Sequence, residues 1–131
     1  MTGKIRATLW ISSEAPDTDF TAKLVDVYPD GYSAIIADGQ IRTRYRNGQD
    51  RSQLMQPGRV YQVSIDMNSA SNLFGKGHRI RLDVSSSNYP KFEPNPNTGE
   101  PAGAWTRRVK PKNTVYLDEK RPSHVELPVV R

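Results

Sequence analysis

The chain has 131 residues, of which 35% are apolar and 25% are charged, and its net charge at pH 7 is +5. This length predicts one domain over residues 1–131, and the modest apolar content favours a thin, sheet-rich fold. The chain has no cysteine, which excludes a disulfide framework.

No apolar run approaches the length of a membrane span, and the first residues do not resemble a secretory signal, so no membrane partner is expected. The lack of cysteine suits a cytoplasmic protein, but an uncrosslinked secreted protein would share it. The sequence therefore leaves the location open.

The first half of the chain predicts strands by the period-two alternation of apolar residues. The first strand alternates Ile5, Ala7, Leu9 and Ile11 with residues of an outer face, Lys4, Arg6, Thr8 and Trp10, and the second covers residues 20–28. Turn signals at residues 29–31 and 38–39 predict a hairpin that continues into a further strand.

The second half continues the same pattern. Strands are expected over residues 61–67, over 78–84 after a turn at 75–77, and around NTVYLD and HVELPVV near the end. No segment shows a sustained helical stripe of apolar residues. The regular spacing of strands and turns predicts an all-β fold, an antiparallel sandwich of Greek-key or jelly-roll type.

One long connection interrupts the strands, SSSNYPKFEPNPNTGEPAGAW at residues 85–105. Its four prolines (Pro90, Pro94, Pro96 and Pro101) and two glycines leave neither helical nor strand periodicity. A loop of this length inside a compact protein is usually either functional or disordered.

Basic residues recur in three groups, Arg42, Arg44 and Arg46, then Arg79 and Arg81, and finally Arg107, Arg108, Lys110 and Lys112. In the first two groups a spacing of two predicts one solvated face of a strand, or a surface that docks on an acidic neighbour. A groove for nucleic acid would need aromatic residues among these charges, and only Tyr45 qualifies, so no nucleic acid partner is expected.

Catalytic motifs are absent. The chain has no G-x-S-x-G elbow, and Ser123 and His124 are neighbours on an expected strand, where their side chains point to opposite faces. Their proximity to Asp118 is therefore interpreted as accidental. His78 lies in the inward-facing series and is expected to be hydrogen-bonded rather than a metal ligand.

The acidic residues Glu14, Asp17 and Asp19 could offer oxygens to calcium. The segment lacks the spacing and the glycine pivot of a calcium loop, so a solvated turn is the favoured interpretation. No metal site and no cofactor are expected.

Carbohydrate binding is a reasonable alternative function for a sandwich without catalytic groups. Sugar rings stack on exposed aromatic side chains, and amides bind their hydroxyl groups. The candidates are Trp10, Tyr32, Tyr89, Phe92, Trp105, Asn88, Asn95 and Asn97.

Four motifs, SSEAPDTDF, VYPDG, GHRIR and SSSNYP, occur here in one order. In this order the chain closely resembles the C-terminal, non-catalytic domain of the CocE/NonD family of α/β-hydrolases, which includes esterases and X-Pro dipeptidyl-peptidases. The resemblance runs from Gly3 to about Val130.

The resemblance implies a galactose-binding-like jelly roll, and an α/β-hydrolase catalytic domain, with its own Ser, Asp and His, as the partner. It also implies that the first strands of the jelly roll are missing, and the sheet edge exposed by their absence predicts a homo-oligomer or marginal stability.

In this setting the long loop is expected to dock between the domains, with Tyr89 and Phe92 as anchors. The candidate residues for this interdomain or binding loop are Asn88, Tyr89, Phe92, Asn95, Asn97 and Trp105.

Overall fold

In a computed structural model, which describes residues 1–89, 91–101 and 103–130, the chain forms two antiparallel β-sheets. The strands are β1 (Thr2–Ser13), β2 (Asp19–Val27), β3 (Ser33–Arg42), β4 (Tyr61–Ser71), β5 (Arg79–Ser85), β6 (Asn113–Asp118), β7 (Arg121–Pro122) and β8 (His124–Glu126). A single 3₁₀ turn, Thr43–Tyr45, follows β3, and the described ranges contain no α-helix. The expected all-β sandwich is confirmed.

The two sheets differ in size and strand order. The larger sheet has the order β4-β1-β6-β7, and β8 also pairs with β1, beyond the end of β6. The smaller sheet has the order β3-β2-β5. Strands β1 and β2 are therefore central, and each one presents an apolar face to the other sheet.

The core follows directly from the alternation in the sequence. Every second residue of β1 is buried against side chains of β2 and β4, because successive side chains of a strand point to opposite faces. The buried core contains Ile5, Ala7, Leu9, Ile11, Phe20, Ala22, Leu24, Val63, Ile65 and Met67. Burial of each large side chain contributes about 1.5–3 kcal/mol.

The β2–β3 hairpin turns where the sequence signal predicts. Gly31 has a φ of 93°, and its amide donates a hydrogen bond to the carbonyl oxygen of Tyr28 at 2.9 Å. Glycine tolerates this left-handed conformation without steric cost.

The second expected turn, at residues 38–39, is wrong, because β3 continues through both residues to Arg42. Gly39 has a different role. A Cβ atom at this position would lie only 2.4 Å from the carbonyl oxygen of Asp66 in β4. Glycine therefore allows the edge strands of the two sheets to approach closely on this side of the sandwich.

Of the two late strands that the sequence predicts, only the last is shorter in the structure. NTVYLD forms β6 as expected, whereas only three residues of HVELPVV belong to β8. Across the described parts of the chain, no helix is long and apolar enough to cross a membrane. The segment between β5 and β6, residues 86–112, has no regular secondary structure where the structure describes it and is called the long loop below.

Candidate functional site

A pair of buried aspartates lies where the long loop meets the sandwich. Asp17 and Asp19 stand at the start of β2, and they are 0% and 1% exposed. Carboxylates are rarely buried this completely unless cationic groups and hydrogen-bond donors surround them. The immediate surroundings of this pair therefore need to supply several donors.

Two arginines from the end of β3 and the following 3₁₀ turn supply the positive charge. Arg42 donates two hydrogen bonds to Asp19, from Nε at 2.9 Å and from Nη2 at 3.0 Å. Arg44 donates from Nε to Asp17 at 2.8 Å, and its backbone amide donates to the same carboxylate at 3.0 Å. The paired geometry at Asp19 is the fork that guanidinium and carboxylate groups form most favourably.

Asn95 of the long loop connects the two carboxylates. Its Nδ2 group donates to Asp17 Oδ2 at 3.0 Å and to Asp19 Oδ1 at 2.9 Å, so both amide hydrogens are used. Thr43 and Gln40 complete the set, and each of the four carboxylate oxygens accepts two hydrogen bonds. We call the group Asp17, Asp19, Arg42, Arg44 and Asn95 the anchor network.

The same arginines also hold the main chain of the loop. Arg42 Nη2 donates a hydrogen bond to the carbonyl oxygen of Glu93 at 3.2 Å, and Arg44 Nη2 donates one to the carbonyl oxygen of Glu100 at 2.8 Å. The loop is thus attached on both sides of Asn95. Backbone carbonyls that would otherwise need water receive donors from the sandwich.

Burial of these charges makes the anchor network sensitive to change. Removal of two charges from water costs several kcal/mol per ion, and this cost is offset only when all their hydrogen-bonding capacity is used. The hydrogen bond with Asp19 raises the pKa of the Arg42 guanidinium above its ordinary value, so this arginine stays charged. If any one member of the anchor network is lost, the remaining charged groups stay buried without the hydrogen bonds that offset the cost of removing them from water.

The solvated strand face that the sequence predicts for the first group of arginines is wrong. Arg42, Arg44 and Arg46 do not share a solvated strand face, because the chain leaves β3 at Arg42 and enters the 3₁₀ turn. Arg44 is only 5% exposed. A change of backbone conformation breaks the period of two on which the expectation rested.

The acidic segment is not a solvated turn either, since Asp17 and Asp19 are enclosed by the anchor network. Glu14 lies apart from them and accepts a hydrogen bond from the backbone amide of Lys112 at 2.6 Å. The described residues contain no group of three or more acidic or histidine side chains placed to hold a metal ion.

The first part of the long loop is fixed to β3 by exposed polar contacts. Lys91 Nζ lies 2.8 Å from Asp38 Oδ1, and Asn88 donates to the same carboxylate at 3.3 Å. Tyr89, between Asn88 and Lys91 in the sequence, is 73% exposed, and Phe92, after Lys91, is half-buried. Pro90 lies outside the described residues.

The later part of the loop is held internally. The amide of Asn97 donates to Asn95 Oδ1 at 2.8 Å, and its side chain donates to the carbonyl oxygen of Val109 at 3.0 Å. Trp105 is half-buried, with the Arg42 guanidinium 5.6 Å from its ring centre. Of the six candidate loop residues, Asn95, Asn97 and Trp105 therefore shape the loop, while Tyr89 faces outward.

Two concave regions border the loop. A groove of about 560 Å³ runs between β3, the 3₁₀ turn and β4, and Phe92 and Glu93 close one side of it. A smaller cavity of about 320 Å³ is lined by Pro94, Pro96 and Trp105, with Arg107 and Arg108 at its margin. Both regions contain arginine and aromatic side chains, and these residue types are enriched at protein interfaces.

The grouping Ser123, His124 and Asp118 does not form a triad. Ser123 Oγ accepts a hydrogen bond from the backbone amide of Trp10 at 2.8 Å. His124 Nδ1 donates to a backbone carbonyl at 2.7 Å, and Asp118 pairs with Arg121. Each side chain has a different partner, as the strand geometry predicts.

The expectation for His78 is confirmed. Its Nδ1 atom lies 2.7 Å from the buried carboxylate of Asp26, and Tyr28 packs against its ring at 4.3 Å between centroids. The side chain of Asn72 donates to the other oxygen of Asp26 at 3.2 Å. This cluster closes the core at one end of β2.

The aromatic residues proposed for sugar binding do not lie on one face. Trp10 is on the outer side of the larger sheet, beside Gln62 and Tyr116. Tyr32 packs on Tyr28 in the β2–β3 turn, whereas the remaining aromatic candidates belong to the long loop. No single stacking platform results from this arrangement.

Comparison with known proteins supports one consistent assignment. The family model of the X-Pro dipeptidyl-peptidase C-terminal non-catalytic domain matches residues 1–126. A cocaine esterase of Rhodococcus sp. is 44% identical over 136 residues, which cover 100% of this chain and 23% of the esterase.

Solved structures agree with this result. An aminopeptidase from the marine sediment archaeon Thaumarchaeota archaeon superposes with a TM-score of 0.93 and 27% identity, over 99% of this chain and 23% of its own. An α-amino acid ester hydrolase gives a TM-score of 0.92 and 26% identity, over 98% of this chain and 24% of its own. The chain thus spans about a quarter of the length of these hydrolases.

Asp17→Asn should lower the free energy of unfolding by about 3–5 kcal/mol, because an amide placed opposite Arg44 and Asn95 leaves a buried cation without its counter-charge. The matched control is Asp83→Asn, which breaks an exposed ion pair with Arg81 and should cost less than about 1 kcal/mol. Urea unfolding of both variants measures the difference. Equal losses would show that the buried pair has no special role.

The Asp38–Lys91 contact should depend on pH in a defined direction. The hydrogen bond from Lys91 lowers the pKa of the Asp38 carboxyl below its ordinary 3.8, so the folded state favours the ionised form. The contribution is fully present above the ordinary value and is lost as the pH falls through the lowered pKa.

Lys91→Met keeps the apolar stem and removes the charge. At neutral pH this variant should be less stable than the original chain by under about 1 kcal/mol, since the pair is largely exposed. In acid unfolding experiments the difference should disappear below the lowered pKa of Asp38. A difference that persists in acid would rule out the ion pair as its source.

Proposed function

Because this chain belongs to the family of X-Pro dipeptidyl-peptidase C-terminal non-catalytic domains, we propose that it braces the catalytic domain of an α/β-type serine hydrolase. In this proposal the long loop is the main docking element. The sandwich supplies a rigid base, and the bond-breaking residues lie in the catalytic part.

The anchor network is the observation that carries the proposal. A long loop without secondary structure normally loses much conformational entropy when it docks. Here Asn95 and the carbonyls of Glu93 and Glu100 are already held by buried charges. A loop that is ordered in advance retains more of its interaction energy for binding a partner.

The exposed side of the loop offers suitable contacts. Tyr89 is 73% exposed although Asn88 and Lys91, which are close to it in the loop, both bind Asp38. Tyrosine is enriched at interfaces because it combines a large apolar ring with one hydrogen-bonding group and few rotatable bonds. The neighbouring groove beside Phe92 could receive a side chain of the catalytic domain.

The relatives indicate the chemistry of the partner. They are a cocaine esterase, an aminopeptidase and an α-amino acid ester hydrolase, so the catalytic parts of these proteins act on ester or peptide bonds. Ser123, His124 and Asp118 are each engaged elsewhere in this chain, which supports an accessory rather than a catalytic role.

A chimaera tests the proposal directly. This chain would replace its counterpart in the Rhodococcus cocaine esterase, and the loss of esterase activity on heating would be followed. Tyr89→Ala should accelerate inactivation by about tenfold, the effect expected from loss of an interface residue that contributes more than 1 kcal/mol. Tyr32→Ala, at a tyrosine that is 62% exposed in the β2–β3 turn, is the control and should have little effect.

The same two variants of the 131-residue chain alone separate docking from folding. Both should unfold at nearly the same temperature as the unchanged chain, because both side chains are exposed. The proposal fails if Tyr89→Ala and Tyr32→Ala inactivate at equal rates in the chimaera. It also fails if the chimaera is no more stable than the esterase that lacks the segment.

A further inference from the structure

The smaller cavity, of about 320 Å³, lies between two arms of the long loop. Pro94 and Pro96 of the first arm line it together with Trp105 of the second. The arms are fixed to each other, because the amide of Val109 donates a hydrogen bond to the carbonyl oxygen of Pro96 at 2.9 Å, and the side chain of Asn97 donates one to the carbonyl oxygen of Val109 at 3.0 Å. A cavity of this volume is large enough for a small molecule, and it is formed without one.

Trp105 contributes a hydrogen-bond donor that has no acceptor. Its Nε1 atom is buried, and no described residue accepts its hydrogen. The ring is held by the Arg42 guanidinium, which lies 5.6 Å from the ring centre and is itself fixed by Asp19. A buried donor without a partner costs free energy, so an acceptor that entered the cavity and reached Nε1 would relieve this cost.

Two arginines favour an acceptor that carries a negative charge. Arg107 and Arg108 line the same cavity and are both exposed, and no other described residue forms an ion pair with either of them. Glu93 also lines the cavity, but its single charge balances only one of the two arginines. The cavity therefore keeps a net positive charge, and a guanidinium group binds a carboxylate with particularly favourable geometry.

The remaining wall of the cavity is apolar. The proline rings of Pro94 and Pro96 and the aromatic ring of Trp105 provide this surface. A hydrocarbon group that covers it loses contact with water, which favours binding. The ligand that fits best therefore combines one carboxylate with a short apolar body.

We propose that this cavity binds a small organic carboxylate, with the charged group at Trp105 Nε1 and at Arg107 or Arg108. Because Nε1 has almost no accessible surface, an exposed side chain at the margin moves when the ligand enters. Hydrolysis of an ester bond releases a carboxylic acid, so this ligand class also suits a protein that braces a hydrolase. The site itself uses only residues of this chain and does not depend on the proposed function.

The two tryptophans of the chain give a direct test by NMR spectroscopy, since each one contributes an indole N–H signal. Trp105→Phe removes one signal and thereby assigns it, and Trp10 is the control within the same sample. When hexanoate is added to the 131-residue chain, the indole proton of Trp105 should shift downfield and that of Trp10 should not. Hexanamide, which has the same number of carbons but no charge, should bind about tenfold more weakly. Acetate, which lacks the apolar body, should also bind more weakly than hexanoate.

Charge variants test the role of the arginines. Arg107→Met and Arg108→Met keep an apolar stem, and at least one of them should raise the Kd for hexanoate about two- to fivefold, the effect of losing one exposed ion pair. Glu93→Gln removes the competing carboxylate and should lower the Kd. Lys4→Met is the control, because it removes one positive charge near the start of β1, where Lys4 pairs with Ser69.

Several results would overturn the proposal. Hexanoate would shift both indole signals equally or neither of them, hexanamide would bind as tightly as hexanoate, or both arginine variants would match Lys4→Met. Tighter binding of N-acetylglutamate amide than of hexanoate would also overturn it, since the carboxylate would then belong to a protein side chain. None of these results affects the proposed function, which Tyr89→Ala tests in the chimaera.

Discussion

The buried pairing of Asp17 with Arg44 and of Asp19 with Arg42, bridged by Asn95, is the interaction on which the arrangement of the long loop depends. Sheet pairing and apolar burial build the sandwich, but the described part of residues 86–112 has no strand ladder of its own. The loop is positioned because two carboxylates present eight hydrogen-bonding sites that the sandwich alone does not fill. The observed placement of Asn95 supplies the last two of these hydrogen bonds, so the buried charges favour it.

An accessory domain benefits from this arrangement for a physical reason. A loop can present a large, variable surface, but a mobile loop loses entropy when it binds. Fixing the loop from beneath, through buried groups, leaves its outer side chains free to suit a partner.

The sequence predicts the strands well and the anchor poorly. Alternation predicts β1, β2, β4 and β5, because the apolar residues at every second position face the core. The roles of Asp19 and Arg42 were missed. These two residues are partners in the β2–β3 ladder, but a register shift between Leu24 and Val25 means that counting outward from the turn would have paired Asp19 with Ile41 instead. Arg44 was misplaced because β3 ends at Arg42, and Arg44 lies in the 3₁₀ turn, where it is buried. The contacts of Asn95 could not have been predicted, since they join segments more than 70 residues apart and depend on the path of an irregular loop.

Amide hydrogen exchange of the Asn95→Ala variant tests the central claim most directly, with Asn88→Ala as the control at a half-buried contact of the same loop. Each hydrogen bond to a charged group contributes about 1.5–3 kcal/mol, so amides of residues 91–101 should exchange at least about tenfold faster in Asn95→Ala. Amides of β1, β2 and β4 should keep their protection in both variants. Unchanged exchange in residues 91–101 would contradict the account, because the loop would then be held by something other than the buried aspartates.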